Sequence, residues 1–180
     1  SSALTYNISS LPSVPGESLK SLAGTYTFTG QVVAAASFVE IPLLAINLQP
    51  GWLALGDGFD VTMHYEVGGT TATTRQFQIA LQPAADAGTG NNVIPLGQIT
   101  DATATPKDGT GIWPNTVLAS GIKRASVGSA SGVGINTSVG TVSAFTPGVA
   151  YRLITFIKQL DTATNSVTVY RMSINRVRGA

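Results

Sequence analysis

The chain has little charge and no cysteine. Charged residues make up 11% of its 180 residues, whereas a typical globular domain has about a quarter. A surface this poor in charge is suited to packing against neighbouring subunits. The lack of cysteine excludes disulfides and thiol chemistry, so packing and contacts between subunits must hold the fold. The composition therefore predicts a protein that works within an assembly.

Long apolar runs and a strong net charge are also missing. The longest apolar region, residues 32–48, is interrupted by Ser37, Glu40, Pro42 and Asn47, and a membrane span needs about 18 uninterrupted apolar residues. The net charge is +1, which gives no general attraction to nucleic acid. We therefore expect neither a membrane nor a nucleic acid as partner.

The few charges are unevenly distributed along the chain. Residues 1–120 hold three basic and eight acidic residues, whereas residues 121–180 hold seven basic residues and only Asp161 as an acid. Such an asymmetry can orient one subunit against the opposite pole of its neighbour. We predict that Arg176 and Arg178 lie at a subunit or capsid interface. The alternative is a chance distribution of solvated side chains.

Four segments carry the alternation of apolar and polar residues that is typical of half-buried strands. They are residues 59–67, 75–81, 151–160 and 166–177, and the Gly68-Gly69 turn and residues 161–165 suggest that they form two hairpins. Weaker runs raise the total to about eight to ten short strands, and no segment has a sustained helical period. The sequence predicts an all-β, antiparallel β-sandwich of the jelly-roll type.

The first residues differ from this pattern. Residues 1–24 contain two prolines and little periodicity, which predicts an extended N-terminal arm that cannot fold alone. We therefore divide the chain into an arm, residues 1–24, and a jelly-roll domain, residues 25–180. The apolar side chains of the arm are predicted to lie on its own sandwich or on a neighbouring subunit; those placed at the interface are Leu4, Tyr6, Ile8 and Leu11.

Candidate chemistry is sparse. Asp60, His64 and Glu66 share one face of the predicted strand 59–67, and such residues can bind a metal or share a proton. His64 is the only histidine, however, and this face is more typical of a solvated strand surface. Trp113 lies in a turn-rich segment, where it can cap the core, anchor an interface or contact a glycan. We expect no catalytic, cofactor-binding or metal-binding residues, and no enzymatic activity.

The order of these segments resembles tailed-bacteriophage virion proteins that contain a jelly-roll domain. The resemblance is carried by the segments Phe38-Val-Glu-Ile-Pro42 and Leu53-Ala-Leu-Gly-Asp57, the strands at 59–67 and 76–81 around Gly68-Gly69, and the closing run 166–174. It implies a homotrimer on the capsid surface of a virion, most simply a head decoration or cement protein that contacts the major capsid protein. The alternatives are a fibre tip that binds a receptor or a host-surface glycan, and a single-jelly-roll capsid subunit.

Overall fold

The computed structural model describes residues 17–35, 37–103, 105–125, 127–129, 134–136, 140–141 and 144–179. Within these ranges the chain forms two antiparallel sheets and a single 3-10 turn, Ala84–Asp86. No described helix is long and apolar enough to cross a membrane. The strands are β1 (Leu19–Phe28), β2 (Val39–Leu48), β3 (Gly58–Gly68), β4 (Arg75–Pro83), β5 (Ile94–Asp101), β6 (Lys107–Leu118), β7 (Gly121–Arg124), β8 (Val127–Ser129), β9 (Gly134–Asn136), β10 (Gly140–Thr141), β11 (Tyr151–Leu160) and β12 (Ser166–Val177).

The eight long strands form a jelly roll. One sheet begins in the order β1-β12-β3-β6, and the other in the order β2-β11-β4-β5. Several long strands that are consecutive in the sequence, such as β1 and β2 or β11 and β12, lie in opposite sheets. This is the arrangement of two Greek keys wrapped into a double-sheet sandwich. The predicted fold class is thus confirmed.

The two predicted hairpins are wrong. β3 pairs with β12 and β6, while β4 pairs with β11 and β5, so the Gly68-Gly69 segment connects the two sheets. The segment at residues 161–165 does the same for β11 and β12. An alternating pattern predicts a strand and its buried face, but it does not indicate which strand is its partner.

Strand β1 begins inside the segment predicted as the arm. Leu19 pairs with Asn175 and the ladder continues to Phe28, which pairs with Val167. Residues 19–23 therefore belong to a sheet, because each of them pairs with a residue of β12. Residues 1–16, with the predicted interface residues Leu4, Tyr6, Ile8 and Leu11, lie outside the described residues.

The core lies between the sheets, and Trp113 is at its centre. Trp113 is fully buried on β6, and its ring lies against Gly97 of β5 and Gly111 of β6, where an added Cβ would overlap the indole. These glycines leave room for the ring inside the sandwich. Together with Pro114, Gly111 also weakens the alternating pattern of β6, which is not among the four segments with clear alternation.

Candidate functional site: an uncharged side of the sandwich

The most unusual surface of the sandwich is formed by strands β1 and β2 and the segment between them. β1 is at the edge of one sheet and β2 at the edge of the other, and the two strands lie alongside each other. Between residues 21 and 56 only Glu40 is charged. The exposed strand residues of this surface, which we call the uncharged side, are Ser21, Ala23, Gly24, Thr25, Thr27, Pro42, Leu43 and Asn47.

The single charge of this segment is neutralised within the chain. Glu40 accepts a hydrogen bond from Arg152 of β11, with 2.6 Å between Oε1 and Nη2. Because both side chains are largely covered, neither projects as a free charge from the uncharged side. Residues 21–56 therefore present no unpaired charge for burial against another protein, and the nearest charges on the strands are Lys20 of β1 and Arg171 of β12, which lies opposite Ala23.

Both edge strands are interrupted by bulges. In β1 the register shifts between Ala23 and Tyr26. In β2, residues 41–44 lie opposite Thr155 alone, since Glu40 pairs with Phe156 and Ala45 with Ile154. Bulges and an edge proline such as Pro42 prevent the continuous strand pairing that leads to aggregation. The uncharged side is thus shaped for contact through side chains and not for addition of a further strand.

Leu43 projects from the second bulge. Its side chain is 90% exposed, and its backbone has φ of +64°, a left-handed conformation that costs a residue with a Cβ roughly 1–2 kcal/mol. An exposed apolar side chain on a strained backbone is an outlier in two respects at once. Backbone strain of this kind is concentrated at functional sites.

A groove runs between the two edge strands. It has a volume of about 380 Å3 and is lined by Leu19, Lys20, Ser21 and Leu22 of β1, by Ala45, Ile46 and Asn47 of β2, and by Glu17 just before β1. Glu17 and Lys20 thus place two charged residues at the margin of the uncharged side. Leu19 is itself more than half exposed. The uncharged side therefore combines an apolar projection with a shallow neighbouring groove.

Arg176 and Arg178, which the sequence placed at an interface, make contacts inside their own chain. Nη1 of Arg176 donates a hydrogen bond of 2.7 Å to the carbonyl oxygen of Trp52, and its guanidinium lies 4.8 Å from the centre of the Trp52 ring. Burial lowers the pKa of Arg176, and the charge of Arg178 lowers it further. Arg178 pairs with the buried carboxylate of Asp57 at 2.8 Å. These contacts lie within one chain and do not test the predicted interface role, which stays a prediction.

Asp57 fixes the end of the chain against the loop between β2 and β3. Besides Arg178, its carboxylate accepts hydrogen bonds from the backbone N–H groups of Ala54 and Gly179, each at 2.9 Å. The indole of Trp52 donates to the carbonyl oxygen of Glu17 at 2.6 Å. The start of β1 and the end of β12 are thus held at the same end of the sandwich.

The interface role predicted for Trp113 does not fit its place in the core, which corresponds to the core-cap alternative.

The polar residues on the outer face of the first sheet form a different cluster. The ring of His64 lies 5.1 Å from that of Tyr170, and Glu66 lies opposite Asp108. Desolvation raises the pKa of Tyr170, and the charges of Glu66 and Asp108 raise it further.

A buried arginine was not found by sequence reasoning. Arg75 is fully buried and donates to the carboxylate of Asp101 at 2.6 Å, to the carbonyl oxygens of Gly68 and Thr103 at 2.7 Å each, and to Oδ1 of Asn165 at 3.2 Å. Its guanidinium connects the ends of four strands. No local signal predicts this, because Asn165 is 90 residues away in the sequence.

An uncharged recess lies at the end of the second sheet. It has a volume of about 380 Å3, and its walls combine the apolar residues Pro83, Val93, Ile94, Ala144 and Val149 with Asn92, Thr146 and Tyr151, which also carry polar groups. Of the described residues that line it, none is charged. We call it the end recess.

The rim of the end recess is held by hydrogen bonds. Gln82 is fully buried and its amide donates to the carbonyl oxygens of Thr89 at 2.8 Å and Asn91 at 3.0 Å. On the opposite rim, the hydroxyl of Tyr151 accepts from the N–H of Thr146 at 3.0 Å, and its ring stacks on Phe145. The recess is therefore preformed, which lowers the cost of binding.

Comparison with known proteins gives no family for this chain. No family model matches it, and no curated protein matches it. Among solved structures, it is similar to an endo-β-1,4-glucuronan lyase from the fungus Trichoderma reesei, with a TM-score of 0.44, 8% identity and coverage of 85% of this chain and 80% of that one. It is also similar to a lectin from Bauhinia forficata in complex with GalNAc, with a TM-score of 0.46, 9% identity and coverage of 89% and 93%.

A third solved structure, that of infectious bursal disease virus Gx strain, has a TM-score of 0.23 with 16% identity and coverage of 90% of this chain and 42% of that one. These three structures come from an enzyme, a lectin and a virus. Such distant similarities assign no function, and the fold assignment rests on the strand order of this chain.

Proposed function

We propose that the chain is a virion structural protein of a tailed bacteriophage, located on the capsid surface, that decorates and cements the head. The observation that carries this proposal is the uncharged side, which occupies both edge strands of the jelly roll. A free surface normally carries charges of both signs. A surface that lacks them, with Leu43 projecting from it, is instead suited to burial against a neighbouring protein.

The partners follow from this proposal. The chain forms a homotrimer and contacts the major capsid protein, and residues 1–16 act as an arm whose side chains Leu4, Tyr6, Ile8 and Leu11 lie on a neighbouring subunit. Each buried apolar side chain would add about 25 cal/mol per Å2 of covered area before ordering costs are subtracted. No membrane, nucleic acid, cofactor or enzymatic step is part of this role.

The decisive experiment is co-sedimentation of the purified protein with tailed-phage capsids that lack their decoration proteins. A variant with Ser21→Lys and Asn47→Lys places two charges on the uncharged side, at exposed positions. The matched control carries Thr110→Lys and Thr116→Lys on β6, which β12 and β3 separate from β1 within the sheet, also at exposed positions. We expect the first variant to lose capsid binding and the control to retain it.

Two results would contradict the proposal. Wild-type protein that neither binds capsids nor forms an oligomer has no assembly role of this kind. Equal binding by the two lysine variants would show that the uncharged side is not the contact surface.

A second test concerns the arm. Deletion of residues 1–16 removes the predicted interface side chains but leaves β1 complete, so the sandwich should unfold at an unchanged temperature while capsid binding weakens. Deletion of residues 1–24 is not an adequate test, because it also removes residues 19–24 from β1. Undiminished capsid binding after the shorter deletion would contradict a role for the arm.

The cluster around Tyr170 favours a second candidate function, the binding of a receptor or host-surface glycan. Sugars are commonly bound by an aromatic ring with polar groups beside it, and Tyr170 lies next to His64 and Glu66 on an open sheet face. A glycan array probed with wild-type protein and with Tyr170→Ala tests this role. Binding that Tyr170→Ala abolishes would support it, and absence of binding by the wild type would exclude it for the glycans on the array.

A further inference from the structure

We infer that Leu43 is an anchor that one copy of the chain inserts into the end recess of a second copy. This inference rests on the proposed assembly role and adds to it the residue, the receiving site and the type of contact. Leu43 is 90% exposed, so it does not occupy the recess of its own chain. The contact therefore joins two molecules.

The conformation of Leu43 is the first argument. Four residues of β2 lie opposite Thr155, and this bulge turns Leu43 out of the sheet with φ of +64°. Glycine adopts this conformation freely. A leucine there exposes an apolar side chain and strains the backbone, and both costs are recovered only when the side chain is buried by a partner.

The shape of the end recess is the second argument. Its volume of about 380 Å3 accommodates a leucine side chain with part of its flanking chain, and Val149 on its rim is 38% exposed. Both rims are held by hydrogen bonds from Gln82 and to Tyr151. The recess is thus ready to receive an apolar group without rearrangement.

The surroundings of both elements are also compatible. The residues next to the anchor, Pro42, Leu44 and Ala45, are uncharged, and so are the described residues that line the recess. Docking therefore buries no unpaired charge. Because the anchor and the recess are different surfaces of the same chain, the contact is heterologous, and such contacts close into rings when the rotation between subunits allows it.

Thiol cross-linking tests the contact directly, because the chain has no cysteine of its own. Protein with Leu43→Cys is mixed with protein carrying Val149→Cys, and a short bis-maleimide is added. We expect a cross-linked dimer in the mixture and none with either protein alone. In the control mixture, Val32→Cys replaces Leu43→Cys, since Val32 is also strongly exposed, at 60%, and should not cross-link.

Two further variants separate anchoring from folding. Leu43→Ala and Leu43→Gly should each weaken self-association at least tenfold in sedimentation equilibrium, as expected when an interface anchor is removed. Leu43→Gly should nevertheless unfold at the same temperature as the wild type or at a higher one, because glycine accepts the positive φ.

The outcomes distinguish this inference from the assembly role. A cross-linked dimer from the Leu43→Cys protein alone would show that two copies of Leu43 meet across a two-fold symmetric contact. That result would overturn the inference. It would also be overturned by wild-type affinity of Leu43→Ala, or by a wild type that stays monomeric at high micromolar concentration without cross-links. In each case the capsid co-sedimentation of the two lysine variants still decides the proposed function.

Discussion

Replacement of Tyr65 by phenylalanine should stabilise the protein. Tyr65 is fully buried on β3, and its hydroxyl has no hydrogen-bond partner among the described residues. A buried polar group without a partner costs about 1–3 kcal/mol. Its ring packs edge-on against Phe77 with 5.4 Å between the centroids, a contact that phenylalanine retains. We therefore expect Tyr65→Phe to raise the free energy of unfolding by about 1–2 kcal/mol near neutral pH.

The same substitution should change how stability depends on pH. Burial raises the pKa of Tyr65 to about 12 from an ordinary value of 10.0, and the charge of Asp101 contributes to this shift. The folded state therefore keeps the proton that the unfolded state loses above pH 10.0. The contribution of Tyr65 to the free energy of unfolding is therefore constant below that pH. As the pH rises from there toward 12, the free energy of unfolding should fall by about 1.4 kcal/mol per pH unit.

Urea denaturation of wild type and Tyr65→Phe, measured from neutral pH to about pH 11, tests both expectations. Other groups titrate in both proteins, so the difference between the two curves isolates Tyr65. That difference should be constant below about pH 10 and grow above it. A phenylalanine variant that is less stable at neutral pH, with a pH curve parallel to that of the wild type, would refute the reasoning.

Two other substitutions test the interior. Arg75→Met leaves the buried carboxylate of Asp101 without its cation and should cost about 3–5 kcal/mol in urea denaturation; a loss below about 1 kcal/mol would show that the ion pair contributes little. Gly97→Ala places a methyl group against the ring of Trp113 and should lower stability by about 1–3 kcal/mol. Its control, Gly90→Ala, makes an ordinary contact and should change little, so equal effects of the two alanines would contradict the packing described for the ring.

The strands with regular alternation could be predicted from the sequence. β11 and β12 have the predicted bounds, and the predicted strand at residues 59–67 matches β3 to within one residue at each end. Their pairing could not be predicted, because alternation specifies the buried face and not the neighbour. β6 was largely missed because Gly109, Gly111 and Pro114 weaken the strand signal. The two glycines nevertheless lie on the same buried face of β6 as Trp113.

The site was only partly predictable. The low charge of the whole chain was evident in its composition, and the near absence of charge between residues 21 and 56 can be read from the sequence. That these residues form both edges of the sandwich depends on the strand order, which the sequence does not reveal. The exposure of Leu43 depends on a bulge opposite Thr155, more than 100 positions away, and the sequence of its segment does not indicate that bulge.

The pairing of the first long strand with the last has a mechanical consequence. Leu19 at the start of β1 lies beside Asn175 near the end of β12. Tension applied to the start of β1 and the end of β12 therefore separates the two strands one residue pair at a time. Peeling of this kind resists force weakly, whereas a pull along the strands would load the whole ladder at once. Asp57, which holds both Arg178 and Gly179, closes the ladder at the end where peeling would begin.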